Sequence, residues 1–205
     1  MAQIVLKESF LKKIDEKQHA ILLATIRIYS VVAMKCKVVV DTFSSKSLNN
    51  GEFVDLYSDL FATYFEGVKK YFQEYSQTIL EIASVTENDY VKRMVALFRP
   101  ENAESDSTYK VLNYIRNDFS FHFGIRKLGP IVGAPIGSVD NKGVVTFTST
   151  TPNLFKYIAE TTGEKMSRES IQTYYRTVYN EEIRPFVEYL GGVIHSVVDS
   201  NVDFV

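Results

Sequence analysis

Eight apolar residues recur every three or four positions between Leu56 and Ile82, and this pattern limits the choice of fold more than any other in the chain. The eight are Leu56, Leu60, Tyr64, Val68, Phe72, Tyr75, Ile79 and Ile82. Such a period corresponds to one face of an α-helix, so it predicts a long amphipathic helix whose apolar face is buried against other helices. The preceding Asn49-Asn50-Gly51 is typical of a turn and predicts the boundary before this helix.

Further helices are predicted on both sides of this one. Residues 4–40 are apolar at short intervals and predict a first long helix. A shorter helix is predicted over 87–98, since Pro100 disfavours helical geometry in the residue before it. The next helix is expected to begin at Asp106 or Ser107 as its N-terminal cap and to run to about Phe123. Gly124 would end it as a C-terminal cap.

The last part of the chain also carries helix boundaries. Thr151-Pro152 predicts the start of a short helix that Gly163 would end. Ser167 is expected to cap the final helix, which Pro185 should kink or break because proline lacks the backbone N–H.

The amino-acid composition changes after the helix that is predicted to end near Phe123. Residues 124–143 hold five of the ten glycines and two of the five prolines, which disfavours a helix. The β-branched run over 144–148 predicts one arm of a small β-hairpin. The predicted fold class is therefore all-α: a single domain over 1–205, built as an up-and-down helical bundle with a Gly/Pro-rich insert at 124–150.

Composition and motif absences exclude several functional classes. A formal charge of −2 excludes a generally cationic nucleic-acid binder, although a local basic patch stays open. Cys36 is the only cysteine, which excludes a disulfide framework and a cysteine-based zinc site. The apolar stretch over 20–40 is interrupted by Arg27, Lys35 and Lys37, so we expect a buried helix of a cytoplasmic protein and no membrane partner. No phosphate loop, dinucleotide fingerprint or paired-histidine spacing occurs, and no cofactor or metal is predicted.

One short segment, residues 114–123, combines charged and aromatic residues in an unusual way: Tyr-Ile-Arg-Asn-Asp-Phe-Ser-Phe-His-Phe. On a helix, an apolar stripe of Leu112, Ile115, Phe119 and Phe123 is flanked by Arg116 on one side and His122 on the other. These two residues are about 120° apart around the helix and ~9 Å apart along it. A permanent cation together with a group that titrates near neutral pH can hold a phosphate and move a proton.

This segment resembles the signature of the HEPN family, in which Arg, often followed by Asn, precedes His by a short spacing. Arg116, Asn117 and His122 match its Arg-Asn-x4-His form. The resemblance implies a metal-independent endoribonuclease that cleaves RNA through attack by the ribose 2′-hydroxyl. His122 would act as general base or acid, Arg116 would stabilise the charge developing on the phosphate, and Asn117 would hold the histidine or the phosphate.

The same resemblance implies partners. Two chains would form a homodimer through the motif-bearing helices, in a toxin or phage-defence system where an antitoxin or other partner protein can bind. RNA would be the substrate, with Arg126 and Lys127 as weak RNA contacts next to the motif. More distant cations could join them or could simply be solvated: Lys12, Lys13, Lys69, Lys70, Lys92 and Arg93.

Two alternatives remain open from the residues alone. Arg116 could pair with Asp118, Glu101 or another carboxylate at a helix–helix contact, while His122 interacts with the helix dipole. The chain would then be a non-catalytic dimerisation or partner-docking module. A small-ligand pocket under the 124–150 insert is the third possibility.

Overall fold

A computed structural model of the chain describes residues 7–45, 50–83, 89–98, 105–120, 137–139, 145–147, 151–164 and 167–201. Most of these residues are helical, which confirms the all-α class. The helices are α1 (Glu8–Leu11), α2 (Glu16–Ser45), α3 (Asn50–Lys70), α4 (Ser76–Ala83), α5 (Asp89–Leu97), α6 (Ser107–Tyr114), α7 (Thr151–Thr162), α8 (Arg168–Val178) and α9 (Arg184–Asn201). Three π-helical turns accompany them: Tyr71–Tyr75 between α3 and α4, Ile115–Ser120 after α6, and Tyr179–Ile183 between α8 and α9.

The first predicted helix is divided in two. α1 ends at Leu11, and α2 begins at Glu16 and extends to Ser45, beyond the predicted end at residue 40. The division has a local cause, since Asp15 Oδ1 accepts from the Gln18 backbone N–H at 2.7 Å while Gln18 Oε1 accepts from the Asp15 N–H at 3.0 Å. This reciprocal pair satisfies two backbone donors and starts a new helix at Glu16.

The long amphipathic helix predicted from the apolar period is present as α3, a π-helical turn and α4. Its stripe lies in the core, with Leu60, Tyr64, Val68, Phe72 and Ile79 buried. The expected turn at Asn49-Asn50-Gly51 is wrong in part, because α3 already begins at Asn50.

Aromatic side chains fill much of the core. α3 packs against α2 and against the π-helical turn Ile115–Ser120, while α9 packs against α2 and α4. Tyr64 and Phe186 meet edge to face with ring centroids 5.6 Å apart, and the Tyr71 hydroxyl donates to the Tyr189 hydroxyl at 3.2 Å. Because these rings are buried, they serve as core residues rather than as a base-stacking surface.

Two of the predicted boundaries near the C-terminus are confirmed, and one of the two outcomes predicted at Pro185, a break, does not occur. Gly163 follows α7 with a φ of +74°, a conformation that favours glycine. Ser167 caps α8 through a reciprocal capping box with Ser170. Pro185, however, does not break the last helix, since helical geometry continues from α8 through Tyr179–Ile183 into α9. That π-helical turn ends two residues before the proline, and it shifts the hydrogen-bond spacing near the position where proline has no N–H to donate.

Two short strands lie in the predicted insert. β1 (Gly137–Val139) pairs antiparallel with β2 (Val145–Phe147), placing Gly137 opposite Phe147. The rest of the 124–150 segment lies outside the described residues, so the insert and its hairpin as a unit stay predictions. Within the described ranges, no helix is long and apolar enough to cross a bilayer.

Candidate functional site

Arg116 and Asn117 of the motif lie in the π-helical turn that follows α6. Asp106 Oδ1 accepts from the Tyr109 backbone N–H at 2.7 Å, so Asp106 rather than Ser107 is the cap of α6. Val111 is buried, and so are Leu112 and Ile115 of the predicted apolar stripe. This burial docks the motif segment on α3 and brings Arg116 next to it.

Arg116 is held from two sides. Its Nε donates to Glu66 Oε2 of α3 at 3.0 Å, and its Nη1 donates to Asn117 Oδ1. Asn117 Nδ2 in turn donates to Asn113 Oδ1 at 2.8 Å. The Arg116 side chain keeps 34% of its surface exposed and that of Glu66 keeps 44%. The guanidinium is therefore oriented by its neighbours and still reachable from solvent.

The carboxylate partner of Arg116 lies on another helix. The Arg116–Glu66 ion pair between the motif segment and α3 is the kind of helix–helix contact that the non-catalytic alternative expects, and pairing with Glu101 or Asp118 stays a prediction. Asn117 contacts Arg116 here. Its predicted contact with His122 or with a phosphate stays a prediction, because His122 lies outside the described residues.

Arg116 borders a polar pocket of about 190 Å³. Its lining consists of Glu66, Lys69, Lys70, Gln73, Glu74 and Arg116. Lys70 is paired with Glu74, with Nζ and Oε1 2.7 Å apart. Three cations and two carboxylates thus share one small pocket, and an anion would meet more positive than negative charge there.

An apolar groove of about 440 Å³ adjoins this pocket. It lies between α2 and α3, and Glu66 and Lys70 border both spaces. Its other lining residues include Ala24, Ile28, Val31 and Gly67, with Tyr75 at its edge. The polar pocket and the groove together form a continuous surface beside the π-helical turn that carries Arg116.

Of the other cations that were considered as RNA contacts, some line the Arg116 pocket and some lie elsewhere. Arg126 and Lys127 lie outside the described residues, so their role stays a prediction. Lys69 and Lys70 line the Arg116 pocket. Lys12 instead pairs with Glu8, Lys92 lies 3.9 Å from Asp89, and Arg93 pairs with Glu182.

The Arg93–Glu182 pair is a second polar cluster that the sequence does not reveal. Glu182 is only 8% exposed, and its Oε1 and Oε2 accept from Arg93 Nη1 and Nη2 at 2.6 and 3.0 Å. The Tyr90 hydroxyl donates to the Glu182 backbone oxygen at 3.1 Å. Burial raises the pKa of the Glu182 carboxyl in spite of the neighbouring Arg93. In the sequence, Glu181-Glu182 has the form of a solvated charge doublet, and no local signal marks the second carboxylate as buried.

The described residues contain no group of three His, Cys, Asp or Glu side chains close enough to hold a metal ion. Comparison with known proteins finds no match for this chain among family models, curated proteins or solved structures. Function therefore has to be argued from the motif and from the geometry around Arg116.

Proposed function

We propose that this chain is an HEPN-like, metal-independent endoribonuclease with Arg116, Asn117 and His122 as its site. The observation that carries the proposal is the placement of Arg116, which is oriented by Asn117 and Glu66 at the wall of a pocket that also contains Lys69. A planar guanidinium fixed in this way can bind a phosphate through two hydrogen bonds, and neighbouring ammonium groups add charge attraction.

The chemistry would proceed in one displacement at phosphorus. His122 takes the proton of the ribose 2′-hydroxyl, and the 2′-oxygen attacks the adjacent phosphorus. The bond from phosphorus to the 5′-oxygen breaks, and that oxygen takes a proton from solvent water as it leaves. Arg116 stabilises the negative charge that develops on the non-bridging oxygens. The products are a 2′,3′-cyclic phosphate end and a 5′-hydroxyl end.

The proposal includes a homodimer. On an ideal α-helix Arg116 and His122 would project about 120° apart, so a single chain would present them poorly to one phosphate. Two up-and-down bundles paired through their motif helices would bring both residue types into one cleft, with the 124–150 insert beside it. Such an enzyme would act in the cytoplasm as a toxin or phage-defence component, with an antitoxin or another inhibitor as its partner protein.

Purified protein incubated with RNA in EDTA tests the proposal. We expect cleavage with cyclic-phosphate ends, lowered about 100-fold or more in Arg116→Ala and in His122→Ala. Arg184→Ala and His195→Ala are the matched controls, because both residues are exposed on α9 and away from the motif helix in sequence. Cleavage that persists in both motif variants would contradict the proposal.

A second candidate function, a non-catalytic dimerisation module, is favoured by a different surface. α2 exposes 52% of Leu23, 56% of Met34 and 45% of Val38, and these residues lie within about 60° of one another around the helix. Leu23 and Val38 are symmetric about residues 30 and 31, and Met34 would lie opposite Arg27 of the other copy. Two antiparallel copies would therefore place Leu23 opposite Val38 in both directions, as a two-fold interface requires.

Analytical ultracentrifugation distinguishes this candidate. We expect Met34→Lys to separate the two copies if α2 is the interface. Val40→Lys is the matched control, since Val40 is 50% exposed on the same helix but lies roughly 130° from the stripe. A dimer that survives Met34→Lys would contradict pairing through α2.

A further inference from the structure

We infer that the polar pocket beside Arg116 binds a backbone phosphate of RNA, and that Glu66 is a displaceable counterion which occupies Arg116 until that phosphate replaces it. The inference rests on the proposed function and extends it to the binding of the substrate. It assigns Lys69 and Glu66, two residues outside the motif, to the RNA-binding site.

The first argument is the distribution of charge in the pocket. Two of its three cations already have a carboxylate: Arg116 has Glu66 at 3.0 Å, and Lys70 has Glu74 at 2.7 Å. Lys69 lines the same pocket and, within the described part of the chain, makes no ion pair. A phosphate entering the pocket would thus meet one cation ready to bind and two whose counterions it can replace.

The second argument is the ease with which Glu66 can be displaced. Both partners of the Arg116–Glu66 pair are about one-third or more exposed, and ion pairs of that kind contribute little because water screens them. A phosphate offers Arg116 two acceptor oxygens in the geometry of its guanidinium and gains the attraction of Lys69 as well. Exchange of a carboxylate for a phosphate is therefore favourable.

The third argument is that Arg116 keeps one of its two supports when Glu66 leaves. Asn117 accepts from Nη1 and is itself fixed by its hydrogen bond to Asn113 at 2.8 Å. When Glu66 moves away, this second support still aims the guanidinium into the pocket. The pocket volume of about 190 Å³, the share of roughly six liquid water molecules, leaves space for a phosphate group.

Binding of a fluorescent 2′-O-methyl RNA to the full chain tests the inference, because this RNA lacks the attacking hydroxyl and cannot be cleaved. We expect Lys69→Gln to weaken binding several-fold and to lower the slope of log K against log salt concentration by about one unit. The control Lys37→Gln removes the same charge from an exposed position on α2 and should leave both quantities unchanged.

Glu66→Gln gives the opposite expectation. Removing the competing carboxylate should tighten RNA binding several-fold, whereas Glu188→Gln, which makes the same charge change in an exposed pair of α9, should not. The gain should disappear in the double variant Glu66→Gln with Arg116→Ala, since it acts through Arg116. Binding that is unchanged or weaker in Glu66→Gln, with circular dichroism showing the folded state, would overturn the inference.

The outcomes separate this inference from the ribonuclease proposal. If unmodified RNA is cleaved in a manner that depends on Arg116 and His122, but the Lys69 and Glu66 variants behave like their controls, this inference alone is wrong. If those variants change binding as expected and no RNA is cleaved, the phosphate site stands and the ribonuclease proposal is wrong. Wild-type protein that does not bind the RNA at low salt overturns the inference directly.

Discussion

Replacing Gly67 by alanine tests how closely α2 and α3 approach each other beside the groove. A Cβ atom at Gly67 would lie 2.9 Å from Ile28 Cγ2 and 3.6 Å from Val32 Cγ2. Carbon atoms in contact prefer about 3.5–4.0 Å, so either Ile28 must move or the helices must separate. Overpacking of this kind costs about 1–3 kcal/mol. The higher helix propensity of alanine offsets about 1 kcal/mol of it, leaving a net destabilisation of about 0–2 kcal/mol.

Gly192 provides the matched control because it lies inside α9 and its Cβ would meet nothing within 4 Å. Alanine there gains helix propensity without a contact, so Gly192→Ala should stabilise the protein by about 0.5–1 kcal/mol. The two substitutions are chemically identical. Their difference in unfolding free energy, about 1–3 kcal/mol, therefore measures the contact at Gly67.

Urea and thermal unfolding followed by circular dichroism measure both variants. In a chain of 205 residues each kcal/mol corresponds to about 2–4 °C in Tm, so the expected difference is readily measurable. Combining Gly67→Ala with Ile28→Ala should lower the cost of the first substitution, since the atom it meets is removed. Equal stability of Gly67→Ala and Gly192→Ala, or additive effects in the double variant, would refute the close packing of α2 on α3.

Three further predictions concern stability and reactivity. Burial raises the pKa of Glu182 above 4.5, so the contribution of this carboxyl to stability is complete below that pH and is lost as the pH rises through its folded-state pKa. Urea titrations between about pH 4 and pH 7 should therefore show that the wild type loses stability relative to Glu182→Gln. The opposite trend would show that Arg93 outweighs burial. Burial also raises the pKa of the Cys36 thiol from 9.0 to about 11. Near pH 8, disulfide-exchange reagents should therefore react with Cys36 about 100-fold more slowly than with a thiol of unshifted pKa. Unfolding the protein in urea should abolish this difference in rate. Asp106→Ala removes the cap on the Tyr109 N–H and should cost about 1 kcal/mol in denaturant titrations, a result contradicted if the variant is as stable as wild type.

The helix boundaries that could be predicted from the sequence are those with a local cause. Asp106, Gly163 and Ser167 act on backbone groups within four residues, so their effect depends on little besides the neighbouring chain. Asp15 belongs to the same class: the spacing of Asp15 and Gln18 is a capping pattern that would have placed the start of α2 correctly. Pro185 is different, because whether a proline breaks a helix depends on how the preceding turn can adjust.

Part of the candidate site could likewise be predicted from the sequence, and part of it could not. Arg116, Asn117 and His122 could be selected as a motif because they lie within one short segment. Glu66 lies 50 residues away from Arg116 in the sequence, and its contact with Arg116 could not be predicted. Nothing in the local sequence around a carboxylate indicates which cation on another helix it will contact.

The amino-acid sequence by itself determined the all-α class, the apolar face of the long central helix and the caps at Gly163 and Ser167, because periodicity and capping act between residues that are close along the chain. Only the tertiary structure decided that Lys69, Lys70 and Glu66 surround Arg116, and that Glu182 is buried against Arg93. Those contacts join helices distant in sequence, and they depend on the rotation and approach of each helix, which packing of the whole core sets.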